Sequence, residues 1–156
     1  MFARIFRLIL AAWVLAFSVV ASTPAHAAGG WRKVVVKYSQ FEAASTTDTV
    51  VLYTTKKFET IERIVMRRDV DFAGGSLTTY TISVGKSGAV TKYQAAIDVF
   101  TGVSNGNTNS IVTTGPGVEP ANTEIIATAT GSHNLSTATA GQVTFFILVS
   151  EMPPGI

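Results

Sequence analysis

The run from Phe72 to Gly85, FAGGSLTTYTISVG, alternates strictly: Thr78, Tyr80, Ile82 and Val84 fall on one face, Leu77, Thr79, Thr81 and Ser83 on the other. A period of two, carried by Thr, Tyr, Ile and Val, is the pattern of a half-buried β-strand. Turn chemistry brackets it, with Gly74-Gly75 before and Gly85-Lys86-Ser87-Gly88 after. Similar runs predict strands at Trp31 to Phe41, Val50 to Thr54, Thr60 to Arg68, around Ala95 to Phe100, at Glu124 to Thr130 and at Gln142 to Ser150. A short helix through Phe58 to Arg68 competes with the third run, because Ile61, Ile64 and Val65 also fit a helical spacing. The β-branched content there favours the sheet.

Thr101 to Pro120 is too rich in Gly, Asn and Pro to sustain regular structure, apart from a short strand at Ser110 to Thr113. Gly131 to Gly141 reads as a loop, and Pro153-Pro154 stops the last strand. About eight short strands, with no convincing helix and no repeat, predict an all-β fold: an antiparallel β-sandwich, with a jelly roll as the best-fitting form.

The start of the chain breaks this pattern. Arg4 and Arg7 are followed by the apolar run Leu8 to Val20 and then by Ala25-His26-Ala27. A positive start, an apolar centre and small residues at the cleavage positions make a secretory signal peptide, 1–27, cut after Ala27. The apolar run is shorter than the roughly 20 residues that span a bilayer, which argues against a retained anchor. The remainder, 28–156, is read as one β-sandwich domain exported to the periplasm or beyond, with no membrane attachment after cleavage.

Charge follows from that cut. The whole chain carries 12 Lys+Arg against 10 Asp+Glu. Losing Arg4 and Arg7 leaves the mature domain formally neutral, without the positive footprint that nucleic-acid binding needs. Cysteine is absent, so disulfides, zinc–thiolate sites and thiol nucleophiles are excluded.

Candidate chemistry is sparse. His133 is the only histidine of the mature chain and sits in a Gly131-Ser132-His133-Asn134 turn, with no G-x-S-x-G elbow to accompany it. Gly85-Lys86-Ser87 lacks the earlier glycine and the following helix of a phosphate-binding loop, so it reads as a β-turn. Asp69 and Asp71 could share a Ca²⁺ ion, but Arg67 and Arg68 beside them offer simpler neutralisation. Lys56, Lys57, Arg63, Arg67, Arg68, Lys86 and Lys92 make the middle of the chain basic, a patch for an anionic surface or simply solvated strand faces. Trp31, Tyr38, Tyr53, Tyr80 and Tyr93 could line a sugar site, although core packing accounts for all except Trp31. No catalytic, cofactor or metal residue is assigned, and the chain is read as non-enzymatic.

The strongest functional signal is apolar patterning on both faces of single strands. Val143, Phe145, Ile147 and Val149 share one face of the last strand while Phe146 and Leu148 occupy the other. Val51 and Tyr53 likewise oppose Val50 and Leu52. A sandwich buries one face of each sheet, and a second apolar face calls for another layer. No amphipathic helix is available to supply it, so Val51, Tyr53, Phe146 and Leu148 are expected to form an oligomer face, with a trimer among the candidate states. Loops such as Thr101 to Pro120 folding over that face are the competing reading.

Three blocks, FAGGSLTTYTISVG (Phe72 to Gly85), YQAAIDVF (Tyr93 to Phe100) and LSTATAGQVTFFILVS (Leu135 to Ser150), resemble small β-sandwich proteins of tailed phages and environmental viruses. The resemblance implies a virion- or tail-associated structural protein, and its shared features are turn glycines and strand patterns. A signal peptide departs from it, since a virion protein assembled in the cytoplasm needs none. The expected function is therefore a structural or adhesive subunit that self-associates through apolar sheet faces, virion-associated if phage-encoded. The alternative is a secreted carbohydrate-binding module meeting a surface glycan through the Thr101 to Pro120 loop and exposed aromatics.

Overall fold

A computed structural model describes residues 30–100 and 119–151. Seven strands run through them: β1 (Gly30–Lys37), β2 (Thr47–Thr54), β3 (Glu59–Ala73), β4 (Tyr80–Lys86), β5 (Ala89–Asp98), β6 (Glu124–Gly131) and β7 (Ala140–Glu151). Among the described residues, helical structure is confined to two single 3₁₀ turns, Tyr38–Gln40 and Leu135–Thr137. The strands form two antiparallel sheets, one ordered β1-β7-β3 and the other β2-β6-β4-β5. The expected signal peptide, the Ser110 to Thr113 strand and Pro153-Pro154 lie outside the described residues.

The alternating faces meet between the sheets. Val36 from β1, Ile64 and Met66 from β3, and Val143, Phe145, Ile147 and Val149 from β7 point inward from one side. Leu52 from β2, Tyr80, Ile82 and Val84 from β4, and Ile125, Ala127 and Ala129 from β6 meet them from the other. Phe72 stacks on Tyr80 with ring centroids 4.4 Å apart, and Phe41 closes on both at 6.5 and 6.4 Å. This aromatic cluster sits where Phe72 N–H donates to Val99 and Val99 N–H donates to Tyr80, so the two sheets are stitched together at that end. Burying side chains of this size at roughly 1.5–3 kcal/mol each is the main force holding the sandwich.

Several strand limits differ from the periodic reading, each for a local reason. β1 ends at Lys37, not Phe41, because the chain turns through Tyr38–Gln40 and drives Phe41 into the core. The central strand begins at Tyr80, since Thr78 and Thr79 give their N–H groups to the Ser132 hydroxyl instead of a ladder. β3 is a strand and not a helix, and it runs on to Ala73, past the expected Arg68. Register shifts between Ile61 and Arg63 and again after Arg68 let it bend around β7. β4 and β5 join at the two-residue turn Ser87-Gly88, as the turn reading of Gly85 to Gly88 expects.

Candidate functional site

The outer face of the β1-β7-β3 sheet follows from the register. Trp31 pairs with Leu148 and Leu148 with Arg63; Lys33 pairs with Phe146 and Phe146 with Val65; Val35 pairs with Thr144 and Thr144 with Arg67. Each of the three rows therefore carries one cation at one margin and an apolar residue at the other, with Leu148, Phe146 and Thr144 in the middle. Trp31 is 50% exposed and Val35 39% exposed. Trp31, Val65 and Phe146 line a shallow hollow of about 340 Å³. The Arg67 guanidinium lies 5.7 Å from the Phe146 ring centroid, a cation–π contact at the margin of the hollow.

A polar network anchors one end of this face. Asp69 accepts hydrogen bonds from Arg67 Nε at 2.6 Å, Thr144 Oγ1 at 2.5 Å and Gln142 Nε2 at 3.3 Å. Burial pushes the Asp69 carboxyl up, but these three donors outweigh it and hold the group below the usual aspartate range. Asp71 is paired separately with Arg68 at 3.0 Å. The two aspartates thus have arginine partners, the simpler of the two outcomes their sequence offers. Asp69→Ala should cost about 1–3 kcal/mol, because the buried Thr144 hydroxyl loses its acceptor; urea denaturation of the pair of proteins measures it.

The four residues expected to form one oligomer face do not share one sheet. Phe146 and Leu148 lie half-buried on the outer face of β7, as the alternation predicts. Val51 is on β2, in the other sheet, and is 47% exposed on that sheet's outer face. Tyr53 has left the outer face altogether. A bulge between Val51 and Tyr53 breaks the alternation, and the Tyr53 ring packs against the core. Its hydroxyl donates to Glu59 at 2.6 Å, and burial together with that carboxylate pushes its pKa up to about 12.

The other candidates stay apart. His133 is exposed in its turn, with Nδ1 3.3 Å from the Ser132 hydroxyl, and that hydroxyl is occupied by the N–H groups of Thr78 and Thr79. Five of the seven basic residues of the middle chain are divided among partners: Arg67 and Arg68 with aspartates, Lys86 and Lys92 with Glu119, and Lys57 over the Phe58 ring. Tyr80 and Tyr93 belong to the core, Tyr38 and Tyr53 pack against it, and Trp31 alone of the five aromatics stands out from it. A second cleft, of about 370 Å³, runs past Tyr38, Phe41, Glu42 and Leu135, and brings no second carboxylate or base to Glu42. No group of three or more His, Cys, Asp or Glu side chains converges among the described residues.

One arrangement escaped the sequence reading. Glu119, 3% exposed, receives the Lys86 ammonium at 2.9 Å, the Tyr93 hydroxyl at 2.5 Å and the Lys92 ammonium. Burial pushes the Glu119 carboxyl up, but hydrogen bonds from Lys92, Tyr93 and Lys86 overcome it and bring the pKa down to about 2. Its neighbours Gly115, Pro116, Gly117 and Pro120 read as loop, and nothing in that pattern marks a buried carboxylate.

No protein-family model and no curated protein sequence matches the chain. Among solved structures it is similar to a chain of the cyanophage Pam1 capsid asymmetric unit, with a TM-score of 0.55 and 16% identity. The match covers 81% of this chain and 87% of that one, so the likeness is one of whole fold.

Proposed function

We propose that this chain is a non-enzymatic structural subunit of a virus particle, assembling with copies of itself or with other shell subunits. The observation that carries the reading is the whole-fold likeness to a chain of a phage capsid, reached at only 16% identity. The open Trp31–Phe146 face supports it, since a sheet with a solvent-facing apolar surface gains free energy when another protein layer covers it.

The strand order supports a jelly roll as the form of the sandwich. In an eight-stranded jelly roll the first, eighth, third and sixth strands make one sheet, and the second, seventh, fourth and fifth make the other. Among the described residues, the orders β1-β7-β3 and β2-β6-β4-β5 follow that plan for every strand but the sixth.

Light scattering coupled to gel filtration tests the assembly. A discrete oligomer at micromolar concentration is expected, and a stable monomer would sink self-association. The N-terminal segment belongs to the same proposal as an export signal. Intact-mass measurement of the protein made in cells should find a chain beginning at Ala28, whereas a chain retaining 1–27 would remove the export reading.

A further inference from the structure

The two outer faces differ in charge as well as position. On the β1-β7-β3 sheet the apolar centre is bordered by Lys33, Arg63 and Arg67. Asp69 matches Arg67 and the Glu62 carboxylate is taken by the Ser150 hydroxyl, leaving Lys33 and Arg63 without an ion pair among the described residues. Arg63 Nε is in addition buried without an acceptor. The outer face of the β2-β6-β4-β5 sheet is built differently. Val51, Ile126 and Gly85 form one row across it, with the Val90 backbone pressed against Gly85. Val51 and Val90 are 47% and 41% exposed. Threonines surround them, and the exposed carboxylates Glu124 and Asp98 lie along this sheet, while its cations Lys86 and Lys92 are turned to the buried Glu119.

We infer that copies of this chain join heterologously, the Trp31–Phe146 face of one against the Val51–Val90 face of the next. This rests on the self-association proposed above and specifies its geometry. A two-fold contact between like faces would set Lys33 and Arg63 of one copy against the same cations of the other, which costs free energy in a desolvated contact. Unlike faces bring those cations toward Glu124 and Asp98 while both apolar centres are covered. Such a contact uses both outer faces of every subunit, so it either closes into a ring or runs on as an extended array. It also accounts for apolar residues lying on the outer faces of both sheets, which a single like-with-like contact does not.

A mixing experiment tests it. Trp31→Glu spoils one face and Val51→Arg spoils the other. Both positions are about half exposed, and circular dichroism melts verify that each variant is folded. Each alone should run as a monomer in light scattering. Mixed in equal amounts, they should give a species of roughly double the monomer mass, because one intact face of each kind remains. Val35→Glu with Val90→Arg should repeat the result, which guards against a folding defect in either first variant. A wild-type oligomer whose variants stay monomeric after mixing would overturn the heterologous geometry and leave self-association standing. Variants that keep the wild-type mass would overturn the faces assigned here. A wild-type monomer would overturn both this inference and the assembly reading on which it rests.

Discussion

Gly141→Ala is expected to destabilise the fold by about 3–5 kcal/mol, by adding the strain of a left-handed backbone to a steric conflict in the core. Gly141 has φ +141°, a region that L side chains rarely adopt. A Cβ built there would lie 2.4 Å from Phe72 Cδ1 and 2.5 Å from its Cγ. The Phe72 ring has nowhere to retreat, since it is stacked on Tyr80 and faced by Phe41. The melting temperature should therefore fall by more than about 10 °C. Gly88→Ala is the internal control. Gly88 also has a positive φ, +77°, but nothing lies within 4 Å of its added Cβ. It should lose only about 1–2 kcal/mol, the backbone term alone. Equal melting points for the two variants would show that Phe72 does not press on Gly141 as the geometry requires.

That same aromatic cluster shows how far the sequence reaches. The placement of Tyr80, Ile82 and Val84 on one buried face is written in the alternation of the central run, and all three are fully buried. Val143, Phe145, Ile147 and Val149 are equally legible, because an uninterrupted strand preserves its period. The period fails wherever a residue is inserted. One bulge after Val51 is enough to turn Tyr53 inward to Glu59, and no local feature of VVLYT announces it. Sheet membership is also silent in the alternation. The pattern gives Val51 and Phe146 a second apolar face each, but only the strand order places those faces on different sheets. The exposed apolar residues were thus readable as composition and their placement was not. Trp31 was legible for a different reason: it stands at the start of the first strand beside Arg32, where few partners can cover it.

Glu119 carries the second large effect, and it makes one buried carboxylate a main source of acid sensitivity. Glu119→Gln should cost about 2–4 kcal/mol at neutral pH, since two ammonium groups and the buried Tyr93 hydroxyl keep their positions while the charge they surround is gone. Lys86 and Lys92 are 29% and 33% exposed and can turn partly to water, which holds the loss below that of a fully sealed pair. The folded-state pKa of about 2 lies below the usual glutamate value of 4.5. A depressed carboxyl contributes its full stability above the unfolded value and loses it as pH falls through the folded one. The wild-type protein should accordingly lose roughly 3 kcal/mol through this group between about pH 4.5 and pH 2, at 1.36 kcal/mol per unit. Asp69 titrates in the same direction in both proteins, so it cancels when the two are compared. Urea denaturation across that range is the measurement. The gap between wild type and Glu119→Gln should narrow steadily as the solution is acidified. A gap that stays constant down to pH 2 would mean that Glu119 is held by packing, and that the lysines and Tyr93 do not stabilise its charge.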